Sequence, residues 1–251
     1  MGEGIPYCGS GPLPDEIWGR WNGDPVLLGL LAAAGLLILL HPPGGVRRKA
    51  CAAAAWAVLV LAFVSPLCAL SSALFSARAL HHLLLIAAAA PLIAAALPDA
   101  GPARRPGAGL LVATLAQTAA LWLWHMPGPY AAALADGTLY WLMQATLLGS
   151  AVLFWSTLRT AAPAGAARLS ALLAMVMQMG LLGALLTFVP APLYAAHFAT
   201  TLPWGLTPLE DQQLAGLVMW VPAALPYLAA ALVPLAGWLA AAHRASPEPQ
   251  G

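Results

Sequence analysis

Charge is what this sequence has least of. Of its 251 residues only 8% are Asp, Glu, Lys or Arg, against about a quarter in a soluble domain, so a water-facing surface cannot be covered. Neither sign dominates: ten basic and nine acidic residues leave a formal net charge of +1. No global field therefore draws in nucleic acid or an acidic partner. The chain lacks a phosphate-cradling nucleotide loop, an H-E-x-x-H zinc motif and a G-x-S-x-G nucleophile elbow, and no catalysis is expected of it. Three cysteines include no C-x-x-C pair. The last apolar run holds no lysine, which excludes a retinal Schiff base. Repeats at periods of about 20–50 residues are missing, as are the paired broken helices of inverted-repeat transporters. The lack of buried charged pairs argues against ion-coupled transport.

What remains is apolar. Hydrophobic residues make up 61% of the chain, and mean hydropathy is +0.82. A helix needs roughly 20 mostly apolar residues to cross the hydrocarbon. Seven stretches approach this, near Pro25–Leu40, Cys51–Leu70, Leu80–Leu97, Gly109–Trp124, Leu139–Leu158, Leu169–Val189 and Leu214–Ala242. The first and fourth are short. Pro222, Pro226 and Pro234 predict kinks in the last. The first stretch follows acidic Asp15, Glu16 and Asp24 without a basic leader, so it reads as a retained span rather than a signal peptide. The expectation is an all-α polytopic membrane protein. It has an outer segment at 1–24, a seven-helix domain at 25–243 and a cytoplasmic tail at 244–251.

Orientation follows from the basic residues of the short loops. Arg47, Arg48, Lys49, Arg104, Arg105, Arg159, Arg168 and Arg244 fall on one side of a seven-span arrangement, and only Arg20 and Arg78 on the other. The majority side is cytoplasmic, so the N-terminus lies outside and the C-terminus inside. An even number of spans would break this alternation.

The rare polar side chains gather at the outer face. His81 and His82 open the third run, His125 closes the fourth, and His197 lies in the loop before the seventh. Met126, Met143, Gln144, Asp211, Gln212, Gln213 and Met219 fall at or near the same face. Imidazole and thioether suit copper, the thioether favouring Cu(I). Plainer roles compete. His81 and His82 are about 100° apart on a helix and cannot both address one site, and either could serve as an interfacial hydrogen-bonding group. His125 follows Trp122 and Trp124 and could simply end a helix beside an aromatic belt. Met175, Met177 and Met179 read as packing, with a deeper relay as the sharper alternative. Thr207-Pro208-Leu209-Glu210 reads as a capping box opening a helix. Gln212, Gly216 and Met219 form one stripe, with Gly216 permitting close helix approach. Cys8 and Cys68 both fall outside, where a disulfide is reasonable, a pair of copper thiolates being the alternative.

Three blocks carry a family resemblance. They are Phe75-Ser76-Ala77-Arg78-Ala79-Leu80-His81-His82 through Ala90-Pro91-Leu92, Trp124-His125-Met126-Pro127 to Tyr130, and Gly205-Leu206-Thr207-Pro208-Leu209-Glu210-Asp211-Gln212-Gln213 to Met219-Trp220. In order, and over nearly the whole chain, they resemble the multi-span CtaG proteins that assemble cytochrome c oxidase. The resemblance implies a non-enzymatic assembly factor for haem–copper oxidases in the bacterial cytoplasmic membrane. Cu(I) would be handled at the outer face by His82 and His125, with His81, Met126, Met143, Asp211, Gln212 and Met219 as further candidates. Partners would be oxidase subunits and an extracytoplasmic copper chaperone. The match departs from the family pattern where Arg78 and His81 replace a histidine and a glutamine, and where Tyr140, Met143 and Gln144 stand in the fifth helix for histidine and acidic positions. Two other classes stay open: a haem-b electron carrier using His82 and His125 as axial ligands, and a cofactor-free scaffold or permease.

Overall fold

The computed structural model describes residues 6–40, 44–98, 106–160 and 165–232. Among them the regular structure is helical, with no strand. All seven apolar stretches are helical where described, although their ends and continuity differ from expectation. Pro234, the tail at 244–251, and Arg104, Arg105 and Arg244 lie outside the described residues.

Helix α1 (Pro25–Leu40) opens at Asp24, whose carboxylate accepts from the Val26 and Leu27 amides at 2.8 and 3.2 Å. Sixteen residues is short of a full crossing. Helix α2 (Val46–Phe63) does not run straight through to Leu70. It breaks at Ser65-Pro66 and continues, bent by 47°, as α3 (Pro66–Ala73). Pro66 has no N–H for the preceding turn, and Ser65 Oγ accepts from the Leu67 amide to start the new helix.

Helix α4 (Phe75–Ala96) begins five residues before the apolar run expected at Leu80. Its opening turn has no local cap. The cap comes from Asp211, whose carboxylate accepts from the Phe75 amide at 2.6 Å, the Ser76 amide at 3.1 Å and the Ser76 hydroxyl at 2.5 Å. In mid-helix, Leu84–Ala89 widens to a π-helix. The Ala90 amide reaches back to the Leu85 carbonyl, and Pro91 has no N–H to offer the Ile86 carbonyl. Trp155 Nε1 supplies that donor at 3.0 Å.

Helix α5 (Pro106–His125) ends at Met126, and α6 (Pro127–Ala135) leaves it at 74°. Helices α7 (Gly137–Thr160) and α8 (Gly165–Phe188) are long and uninterrupted. Asp136 caps the first of these through the Leu139 amide at 2.8 Å. Helix α9 (Pro208–Trp220) opens with the expected capping box of Thr207 and Glu210. The chain then breaks at 221–223, where Pro222 was expected to kink it, before helix resumes over 224–232. Helices α8 and α9 meet almost backbone to backbone. A Cβ on Gly216 would lie 2.3 Å from Thr187 Oγ1 and 2.6 Å from the Gly183 carbonyl oxygen.

Among the described residues, four helices are long and apolar enough to cross a membrane: Phe75–Ala96, Gly137–Arg159, Gly165–Phe188 and Pro208–Leu232. The two bent pairs raise the number to six. Large apolar side chains such as Leu111, Leu115, Met177, Leu181 and Leu217 face outward, while His81, His82, His125, Arg78, Gln117 and Gln144 are buried. That is the inversion expected of a bundle solvated by lipid.

Candidate functional site

The start of α4 organises one end of the bundle. Because the helix begins at Phe75, His81 and His82 lie about two turns inside it rather than at its opening. The reason was not local: the cap that extends the helix arrives from Asp211. The two histidines diverge as their spacing requires. His81 sits edge-on to Phe63 of α2, ring centres 5.0 Å apart. His82 faces His125 of α5, ring centres 5.5 Å apart with planes at 83°.

The chemistry of this pair is set by its neighbours. His125 Nδ1 lies 2.7 Å from the Leu121 carbonyl, which can only accept, so the ring proton sits on Nδ1 and the Nε2 lone pair is available. Both nitrogens of His82 are buried and make no hydrogen bond among the described residues. A buried imidazole without a partner is uncommon, and here it adjoins a second imidazole with a lone pair to give. Both members of the facing pair are nearly inaccessible to solvent. Among the described residues no group of three or more His, Cys, Asp or Glu side chains converges as a metal cage. What the geometry could offer a metal is two imidazoles, borderline ligands that suit copper, zinc, iron or nickel alike.

One turn before His82 stands Arg78, expected at an outer loop and found inside α4, fully buried. Its guanidinium carbon lies 5.3 Å from the Tyr140 ring centre, and its nitrogens make no hydrogen bond of good geometry among the described residues. Gln144 is buried as well.

The remaining expected residues take other places. Asp211 is spent on capping α4. Gln212 staples the loop after α8, accepting from the Leu193 amide at 2.7 Å and donating to the carbonyls of Leu186 and Ala191 at 3.2 and 3.4 Å. Met143 and Met219 are buried, and Met126, beside His125 in sequence, is exposed.

Aromatic residues that sequence reasoning missed build the rim. Phe75 stacks on Tyr194 at 3.7 Å, and the Tyr194 hydroxyl donates to the His125 carbonyl at 2.6 Å. His197 Nδ1 donates to the Ala73 carbonyl at 3.2 Å, and its Nε2 accepts from the Tyr130 hydroxyl at 2.7 Å. Both nitrogens being engaged, His197 is a structural link. Burial, with the Arg78 guanidinium adding to it, brings its pKa down to about 4. No local signal gave Tyr130 or Tyr194 this role; each hydroxyl bonds a partner more than 60 residues away.

Over this end lies the N-terminal segment. Cys8 and Cys68 form a disulfide. Tyr7 stacks on Tyr140 at 4.8 Å and donates to Asp24 at 2.6 Å, and Trp204 Nε1 donates to the Pro12 carbonyl at 3.1 Å. Burial first, and the Asp24 bond second, hold the Tyr7 phenol above its ordinary range, while that same bond lowers the Asp24 carboxyl.

No curated protein and no solved structure matches the chain. Residues 31–241 match the family model described as cytochrome c oxidase caa3 assembly factor (Caa3_CtaG), and with most of its length covered the chain belongs to that family of membrane-associated assembly factors.

Proposed function

We propose that this protein assists assembly of a haem–copper cytochrome c oxidase by holding Cu(I) transiently between His82 and His125 at the extracytoplasmic face of the bacterial cytoplasmic membrane. The observation that carries the reading is the facing imidazole pair, one ring with its lone pair set by Leu121 and the other with both nitrogens unbonded. Two ligands bind weakly enough to release their cargo, which suits transfer to an oxidase subunit or receipt from a copper chaperone. Asp211 and Gln212 then support the site without touching the metal. Met126, Met143, Met219 and His81 remain reserve ligands for an exchange intermediate.

The proposed topology has seven spans, with the N-terminus outside. It counts α1 and both bent pairs as crossings. Two features support the sidedness. Arg47, Arg159 and Arg168 line one cavity at the end of α4 remote from Phe75. The disulfide lies at the end with the histidines, as an oxidising compartment favours. A haem-b reading would use the same two histidines as axial ligands. An absorption spectrum with a Soret band would favour it, and no Soret band in the gently purified protein would remove it.

The test has two arms. Deletion of the gene is expected to lower oxidase activity and oxidase copper, and unchanged oxidase would remove the assembly role. Cu(I) titration of the purified protein, with His82→Ala and His125→Ala beside it, is expected to show binding lost in each variant. Equal binding by all three would remove these ligands.

A further inference from the structure

Two imidazoles are a donor set that several metals accept, so His82 and His125 do not by themselves choose a cargo. A histidine ligates in its neutral form, and the metal therefore brings its whole charge into the site. Arg78 stands one turn before His82 on α4, on the same face of the helix. It is fully buried, as the two histidines nearly are. Its guanidinium lies 5.3 Å from the Tyr140 ring centre. Its polar neighbours include the Tyr130 and Tyr140 hydroxyls, both phenols. The charge is felt at His82, at His81 and, across this end of the bundle, at His197. Asp211 and Asp24, the acids of this end, are engaged elsewhere. Asp211 accepts from the first turn of α4, and Asp24 from Tyr7 and the first turn of α1. Position 78 is also where a third ligand on this face would stand, and arginine offers no lone pair there.

We propose that Arg78 is a charge filter for the metal site: it lets a monovalent ion settle between His82 and His125 and turns away divalent ions that the same imidazoles would hold. This rests on the reading of His82 and His125 as a metal pair. Coulomb repulsion is proportional to the charge of the incoming ion, so a divalent metal meets twice the opposition of a monovalent one. For a separation of about 8 Å and an effective dielectric of about 20, each unit of metal charge is disfavoured roughly thirtyfold. The second charge of a divalent ion therefore costs it about thirtyfold against Cu(I). Ligand number acts in the same direction, because zinc in proteins gathers four ligands and this face supplies two. The imidazoles provide the binding, and Arg78 provides the choice of valence.

The experiment titrates the full chain in mild detergent with Ag(I), a monovalent probe that does not change oxidation state, and with Zn(II) as the divalent one. Wild type is expected to hold Ag(I) at least thirtyfold more tightly than Zn(II). Arg78→Gln and Arg78→Met, two neutral replacements of different chemistry, should each narrow that ratio by about thirtyfold, with Zn(II) gaining more than Ag(I). Tyr140→Phe keeps the cation and removes a neighbouring hydroxyl, so it should leave the ratio unchanged whatever it does to stability. A ratio unmoved in both Arg78 variants, or narrowed as much by Tyr140→Phe, would overturn the filter. Zn(II) bound by wild type as tightly as Ag(I) would overturn it even if the Arg78 variants fail to fold. His82→Ala and His125→Ala separate the two readings. Ag(I) binding that survives both removes the metal pair and the filter with it, whereas binding lost in both beside an unmoved ratio removes the filter alone.

Discussion

Replacing Asp211 by Asn tests how the histidine-bearing helix is held in place. The carboxylate accepts three hydrogen bonds, from the Phe75 amide, the Ser76 amide and the Ser76 hydroxyl, in a site closed to solvent. Asparagine keeps one acceptor oxygen. Its amide would therefore face a backbone N–H at the 2.6 Å position of the Phe75 bond, donor against donor. Stranding one buried donor costs about 1–3 kcal/mol. The surviving bonds lose charge assistance and roughly half their strength. Together these give about 3 kcal/mol, or on the order of 10 °C in melting midpoint for a chain of this size. The assay is thermal unfolding of the detergent-purified protein, followed by tryptophan emission, beside Cu(I) titration at a temperature where both proteins are folded. The expected result is a large loss of stability with copper affinity at most modestly weakened. An unchanged midpoint, or loss of copper binding at full stability, would refute the capping argument and return Asp211 to the ligand set.

Gly216→Ala would push a methyl into Thr187 and the Gly183 carbonyl, and should destabilise the α8–α9 pair by about 1–3 kcal/mol in the same unfolding assay; a neutral result would mean the two helices slide apart freely. Reducing the Cys8–Cys68 bond, which closes a separation of 60 residues, should cost about 4 kcal/mol, read as a lower midpoint with reductant than without. His197 titrates near 4 instead of its ordinary 6.5, so its neutral form is favoured in the folded protein. Its contribution is complete above pH 6.5 and is lost as pH falls towards 4, amounting to about 3 kcal/mol at most. Wild type should therefore lose more stability than His197→Gln between pH 7 and 4.5, and equal losses would sink the argument.

The sequence was informative wherever cause and effect lie within one turn of chain. The Thr207–Glu210 capping box needs only its own four residues, and the close approach at Gly216 needs only an absent side chain. The apolar runs themselves are set by composition, so helix fills most of each stretch where it is described. Legibility failed where the determinant was distant. The α4 start at Phe75 depends on a carboxylate about 135 residues later, so the histidines read as surface groups when they are interior ones. Arg78 had the look of a loop cation, because nothing nearby in sequence announces Tyr140 beneath it. The divergence of His81 and His82 was geometric and held. Which of them would meet His125 depends on how α4 and α5 pack, and no local pattern encodes that.

The wide turns at Leu84–Ala89 bear on how the chain can vary. A π-helical insertion accommodates one surplus residue, and each residue advances a regular helix by about 100°. Removing a single alanine there should let α4 close into regular helix with its two halves still facing as they do, so that His82 keeps its aim at His125. A residue added or removed outside the wide turns has nothing to absorb it, and would swing one half of α4 against the other by about 100°, carrying His82 out of line with His125. The wide turns are thus the place where this helix can change length without losing its aim.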